Sequence, residues 1–234
     1  VSIDVLTVSG VKDLPEIRPG DDLSELISSR VELKDGDVIV VTQKIVSKAE
    51  GRIVDIDVSD PAAKTRLAES EAVRVLRRRG DLVITETKHG FVCANSGVDL
   101  SNVGDGRAVL LPLDPDRSAR RIRDALLAKH HVSVGVIISD TFGRTWRIGL
   151  TDVAIGCAGI AGVVDLRGEF DATGRRLDAT EICVADEIAG AADLVMGKSS
   201  GVPVALVRGV NPAWLRESSV REEIVRPVGE DLFR

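Results

Sequence analysis

Four runs rich in valine and isoleucine set the strongest limit on what this chain can fold into: residues 3–8, 37–42, 81–85 and 132–139. β-Branched apolar stretches of this length read as buried strands, and several stop just before polar, glycine-bearing turns. With 234 residues, the chain can bury a large core without staples, as one large domain or two smaller ones.

Helical patterns fall between the runs. Pro61 to Arg79 opens on Asp60-Pro61, sets Ala68, Ala72, Val75 and Leu76 on one side and gathers arginines at its end, which predicts a surface helix. Asp116 to His131 places Ala119, Ile122, Leu126 and Lys129 on one face, with His130 and His131 as helix-end residues rather than metal ligands. A third helix is predicted from about Thr180 to Ala192, followed by a strand at 202–209. Helices that do not alternate strictly with strands argue for an α+β fold of mixed or antiparallel sheets with flanking helices. We expect one domain over residues 1–234, with a candidate subdivision near 110–135, and find no internal repeat or low-complexity segment.

Several function classes drop out. Cys93, Cys157 and Cys183 are far apart and form no CxxC pair, which argues against a disulfide framework or zinc knuckle and for a reducing cytoplasm. No apolar run approaches the roughly 20 residues that cross a bilayer, and the opening VSIDVLTVSG lacks the flanks of a signal peptide. A net charge of −6 argues against nucleic-acid binding. Any phosphate must therefore be met by local groups.

Five segments could supply them. Leu14 to Asp22 is a polar loop with two prolines and a glycine, read most simply as a rigid connection capped by Asp21 or Asp22. Val41 to Arg52 runs from a buried strand into hydroxyl, amide and lysine groups suited to phosphate oxygens, although no Walker sequence occurs. Asn95 to Asn102 sets a carboxylate and amides in a turn, for a hard cation or for its own backbone. Ser139 to Arg147 follows the strongest strand; Asp140 and Thr141 offer oxygens to magnesium or manganese, and Arg144 and Arg147 suit phosphate or carboxylate. The alternative there is an arginine–aspartate pair beside a tryptophan packed in the core. Met196 to Gly201 is a glycine and hydroxyl loop with one cation, which touches phosphate or only turns the chain. Other acidic groups, around Glu169 and Glu181, carry no assignment.

Taken together, LPEIRPGDDL, VVTQKIVSKAEGR, NSGVDLSNV, SDTFGRTWRIGLTDVAIG and VADEIAGAADLVMGK resemble the coenzyme F420-0:L-glutamate ligase, or F420 gamma-glutamyl ligase, family, in the family's order and across nearly the whole chain. The resemblance implies GTP-dependent addition of L-glutamate to the deazaflavin coenzyme precursor through an acyl phosphate, often with further gamma-linked glutamates, by an intertwined homodimer. It implies that Leu14, Pro15, Glu16, Ile17, Gln43, Lys48 and Asn102 line the guanine nucleotide, with Met196, Gly197, Lys198 and Ser199 in another nucleotide-contacting stretch. Asp99 and Asp140 would hold one divalent metal, Mg2+ or Mn2+, and Thr141 would help hold a second. Some relatives carry a metal-binding glutamine where this chain has Lys198, and a protonated lysine cannot ligate a cation. Arg144 and Arg147 are our own assignment, as contacts for the precursor's phosphodiester or the glutamate carboxylates. An amide ligase for another carboxylate, and a non-catalytic deazaflavin- or nucleotide-binding module, stay open as alternatives.

Overall fold

In the structure, a computed structural model that describes residues 5–101, 104 and 106–232, the runs at 37–42 and 132–139 form the middle of a five-stranded mixed sheet, residues 7–8 of the first run open its edge strand, and the run at 81–85 falls in a separate three-stranded sheet. The order of the five-stranded sheet is β1 (Thr7–Val11), β12 (Val204–Arg208), β2 (Val38–Thr42), β8 (Gly135–Arg144) and β9 (Arg147–Ala158). β2 and β8 run parallel, from Val38 opposite Gly135 to Thr42 opposite Ser139, and the other pairings are antiparallel.

A strand that is apolar at every position needs cover on both faces, because successive side chains point to opposite sides. Ile39, Val41, Val136 and Ile138 share one core with Ile27 of α1 (Leu23–Ser28), Val46 of α2 (Gln43–Ala49) and Ile122 and Leu126 of α4 (Pro115–His130). Val38, Val40 and Ile137 share the other with Ala185, Ile188, Ala189 and Ala192 of α5 (Val184–Met196). Each fully buried valine or isoleucine contributes about 1.5–3 kcal/mol relative to exposure. Where α4 begins, a Cβ on Gly156 of β9 would lie 2.3 Å from the Pro115 carbonyl carbon, so only glycine lets the helix start so close. The adjacent Asp116 is buried and accepts the N–H groups of Cys157 (2.9 Å), Val220 (2.8 Å) and Arg221 (3.1 Å), tying α4 to β9 and to α6 (Val220–Glu223).

A smaller core of Ala68, Val83, Val98, Ala108 and Leu110 lies elsewhere. It is built from the pair β3 (Ile53–Asp55) and β7 (Arg107–Val109), the helix α3 (Ala63–Ser70), and the antiparallel sheet β4 (Ala72–Arg79), β5 (Leu82–Thr87) and β6 (Val92–Ala94). A last pair joins β10 (Val164–Asp165) to β11 (Glu181–Ile182). Among the described residues no helix is long and apolar enough to cross a membrane.

The fold class agrees with the sequence reading, and the differences have local causes. The helix expected over Pro61 to Arg79 stops at Ser70, and residues 72–79 form β4 instead. Valines alternating with arginines suit a half-exposed strand, and pairing with β5 joins Arg74 to Glu86 across the two strands at 3.0 Å. The helix expected from Thr180 begins at Val184, since Glu181–Ile182 is held in β11. The strand expected over 132–139 starts at Gly135 and continues to Arg144. His131 ends α4 in a left-handed conformation (φ 56°) and His130 Nε2 lies 2.9 Å from Ser28 Oγ, so both are helix-end residues as expected.

Candidate functional site

β2 ends at Thr42 and turns directly into α2, while its parallel neighbour β8 runs on past Ser139. A crevice opens at the carboxyl ends of parallel strands when the chain leaves them in different directions. Here it is a cavity of about 790 Å³. Thr42, Gln43, Lys44 and Lys48 enter it from the β2–α2 junction, Ser139, Asp140 and Thr141 from β8, and Asp152 from β9. The loop Leu14 to Ile17 lines it as well.

Two turns bring in the remaining groups. Asn95 and Ser96 adopt left-handed backbone (φ 51° and 53°) in a short turn before Gly97. Asn95 Oδ1 secures it by accepting the Val83 N–H at 3.1 Å, while the Ser96 hydroxyl donates to the Ala68 carbonyl at 2.6 Å. The chain leaves this turn so that Asp99 and Ser101 line the cavity. At the end of α5, Gly197 (φ 59°) reverses the backbone and places Gly197, Lys198 and Ser199 on the same cavity.

Three lysines in the cavity are each paired with a carboxylate. Lys44 Nζ lies 2.7 Å from Asp99 Oδ2, Lys48 Nζ 2.5 Å from Glu16 Oε1, and Lys198 Nζ 2.9 Å from Asp152 Oδ1. Asp99 also accepts the Ser101 N–H at 2.7 Å and hydroxyl at 3.0 Å, so it satisfies its own turn, one of the two roles read from the sequence. Burial alone would raise its carboxyl, but the bonds from Lys44 and Ser101 hold it below the ordinary aspartate value. Asp152, 2% exposed, accepts from Ser139 Oγ at 2.9 Å and Thr141 Oγ1 at 2.6 Å. Among the described cavity residues, Asp140 is the one carboxylate without a lysine partner. Burial pushes its carboxyl up to about 7, opposed by the Thr141 amide hydrogen bond and reinforced by the negative charges of Asp152 and Asp99.

Of the residues singled out in the sequence, Leu14, Pro15, Glu16, Ile17, Gln43, Lys48, Asp99, Asp140, Thr141, Gly197, Lys198 and Ser199 all line this one cavity. Met196 does not; as the last residue of α5 it is buried in the core. Arg144 and Arg147 sit at the exposed outer end of the β8–β9 hairpin, where Arg144 donates to the Ile148 carbonyl at 2.9 Å. Asn102 lies outside the described residues. Asp21 and Asp22 do cap the connection before α1, Asp21 accepting the Arg18 N–H at 2.7 Å and Asp22 the Ser24 N–H at 3.0 Å. Trp146 is 81% exposed rather than packed in the core, because the hairpin continues beyond the sheet and takes Trp146, Ile148 and Leu150 into solvent.

Lys44 and Ser139 stood inside candidate segments without a role of their own, and Asp152 was not singled out. Asp152 faces Thr141 in the β8–β9 register, so its role was readable only once residues 139–152 were recognised as one hairpin. Lys44 precedes the assigned Lys48 by one helical turn, which points both toward the same side.

No three His, Cys, Asp or Glu side chains converge as a metal cage among the described residues. The donor set instead suits a magnesium-like ion held by one or two carboxylates and completed by substrate phosphates. Asp140 fits that role, since burial beside two other carboxylates leaves it in want of a positive charge.

The F420-0:Gamma-glutamyl ligase family model matches residues 11–209. The chain is 41% identical to the coenzyme F420:L-glutamate ligase of Methanothermobacter thermautotrophicus over 98% of its own length and 99% of the relative. It is 43% identical to the protein of the same description from Methanopyrus kandleri over 94% of each chain. A third such protein, from Archaeoglobus fulgidus, is 43% identical over 96% of this chain and 94% of the relative.

Proposed function

The chain belongs to the F420-0:gamma-glutamyl ligase family, and from that membership we propose that it joins L-glutamate to the carboxylate of the deazaflavin coenzyme precursor F420-0. GTP is the co-substrate in this reading, and the same site extends a gamma-linked oligoglutamate tail. The observation that carries it is the convergence of four separated segments, around Glu16, Lys48, Asp140 and Lys198, on one cavity.

A carboxylate does not condense with an amine in neutral water, so it needs activation. In the proposed route a carboxylate oxygen of the precursor attacks the γ-phosphorus of GTP, the bond to the β,γ-bridging oxygen breaks, and GDP leaves an acyl phosphate. The glutamate amine then adds to the acyl carbon, phosphate departs, and the nitrogen gives up its proton as the amide forms. Such transfers rely on alignment and charge neutralisation more than on covalent help from protein. Asp99 and Asp140 would hold a divalent ion, Mg2+ or Mn2+, which when bound offsets the charge of the phosphate oxygens. Lys48 sits almost fully buried on α2 and meets nucleotide phosphate by exchanging its bond to Glu16, whose side chain is 74% exposed and free to swing away. Buried Gln43 accepts from the Ser47 hydroxyl at 3.0 Å, which holds its side chain in place at the cavity wall.

Arg144 and Arg147 bind the precursor's phosphodiester or the glutamate carboxylates in this reading; an Arg147→Ala enzyme with unchanged kinetics for both substrates removes that residue from it. The protein acts as a homodimer, a reading supported by the exposed apolar side chains of Trp146, Ile148 and Leu150, and light scattering at the mass of a monomer would end it. The decisive assay incubates the protein with F420 precursor, L-glutamate, GTP and Mn2+ or Mg2+, following coenzyme mass and GDP together. Stepwise glutamate additions matched by GDP establish the ligase. Precursor binding with neither product refutes it.

A further inference from the structure

The resemblance assigns Thr141 to a second divalent cation, and the side chains around Thr141 do not fit one. Lys198 Nζ is hydrogen-bonded to Thr141 Oγ1 and lies 2.9 Å from Asp152 Oδ1 and 3.3 Å from Asp193 Oδ1. The Thr141 hydroxyl has already spent its proton on Asp152 Oδ1 at 2.6 Å, and the other Asp152 oxygen accepts from Ser139 at 2.9 Å. An ion ligated by Thr141 Oγ1 would therefore share that oxygen with an ammonium, itself anchored on the buried Asp152. One positive charge is in position, with its three N–H donors matched to three acceptors.

We propose that the Lys198 ammonium stands where a second divalent cation would, so that this chain works with one divalent ion per bound nucleotide. The inference rests on the nucleotide-and-metal reading of the cavity. It makes Lys198 a tethered cation, carried on the turn after α5, that holds Thr141 and Asp152 in place and faces the phosphates. Lys198 is an ordinary ammonium placed between two carboxylates, those of Asp152 and Asp193, which balance its charge where it stands. A glutamine at position 198 would offer a neutral carbonyl oxygen instead, freeing both Thr141 Oγ1 and Asp152 Oδ1 for a metal.

The test counts Mn2+ on the full chain by electron paramagnetic resonance, in the presence of a GTP analogue with a non-hydrolysable β,γ link and without glutamate or precursor. The wild type takes one ion per chain, with no Mn–Mn spin coupling. Lys198→Gln takes two, with coupling, and Lys198→Arg returns to one, a pattern that loss of packing alone would not produce. Two ions on the wild type overturn the proposal, and so does a Lys198→Gln protein that binds nucleotide but still takes one. Amide formation is scored separately. A chain with the expected counts that makes no amide loses the ligase reading and keeps this one; an active ligase with two ions keeps the ligase reading and loses this one. Failure to bind nucleotide at all ends both.

Discussion

Lysine–carboxylate pairs occur inside the cavity and on the outer faces, and the two sets are built differently. Inside, two of the three pairs have one member sunk into the protein: the Lys48 side chain is 7% exposed opposite Glu16, and that of Asp152 2% exposed opposite Lys198, while Lys44 and Asp99 are both half-buried. Outside, Lys129 and Asp22 are 43% and 51% exposed. A charge sunk into protein gives up hydration that an exposed partner regains only in part, and apolar residues of similar volume often serve stability as well or better. Exposed pairs cost little and contribute roughly 0–1 kcal/mol. Folding alone does not explain three lysines held over one cavity; an anionic ligand that later takes their charge does.

The sharpest way to break the comparison is to remove the cavity carboxylate that has no lysine. Asp140→Ala should lower kcat/KM for glutamate addition by at least ~1000-fold, about 4 kcal/mol of transition-state stabilisation. Its thermal midpoint should stay level or rise, because a carboxyl that burial has pushed up to about 7 carries its charge at a cost to the folded state. Product mass and a melting curve read the two quantities separately. An Asp140→Ala enzyme within tenfold of wild type would show that the cavity's charges are structural after all.

Next in size is a contrast between two lysines. Lys48→Met should weaken binding of a guanine nucleotide by about 10–100-fold, the loss of one or two charge-assisted hydrogen bonds, roughly 1.4–2.7 kcal/mol. Lys129→Met removes an equal charge from the outer face of α4 and should leave that affinity within about twofold, since screening removes most long-range influence beyond ~8 Å at physiological salt. Calorimetric titration of both proteins decides it. Equal losses would mean that net charge, not the cavity, attracts the nucleotide.

The same division separates what was legible in the sequence from what was not. Val38 to Val41 and Val136 to Ile138 declared themselves because burial on both faces leaves a continuous apolar run. Residues 72–79 misled because arginines gathered behind an apolar stripe resemble a helix end, and only the strand partner at 82–87 resolves them. Most cavity residues were reached by family resemblance rather than by spacing, since Glu16, Lys48, Asp99, Asp140 and Lys198 come together only through the parallel pairing of β2 with β8 and the turns at Gly97 and Gly197. Asp152 shows the limit most clearly. An aspartate within an apolar stretch has no visible partner until the hairpin brings it opposite Thr141.

The smallest effect belongs to the outer pair. Asp22 caps α1, accepting the N–H groups of Ser24 at 3.0 Å and Glu25 at 3.3 Å while Lys129 Nζ donates to its other oxygen at 2.5 Å. The bond from Lys129, then that from Ser24, holds its carboxyl down to about 2. Replacing it with alanine should cost about 1 kcal/mol, the usual worth of an N-cap, whereas asparagine keeps the cap and loses only the exposed charge pair, a few tenths of a kcal/mol. A depressed carboxyl binds fewer protons folded than unfolded, so its stabilisation is complete above the unfolded value near 3.8 and drains away as pH falls toward about 2. Urea unfolding of wild type and Asp22→Asn should therefore differ by a constant small amount from neutral pH to about 5 and converge below it. A gap larger than the loss of nucleotide binding in Lys48→Met would reverse the comparison, placing the molecule's most consequential lysine–carboxylate pair on its surface.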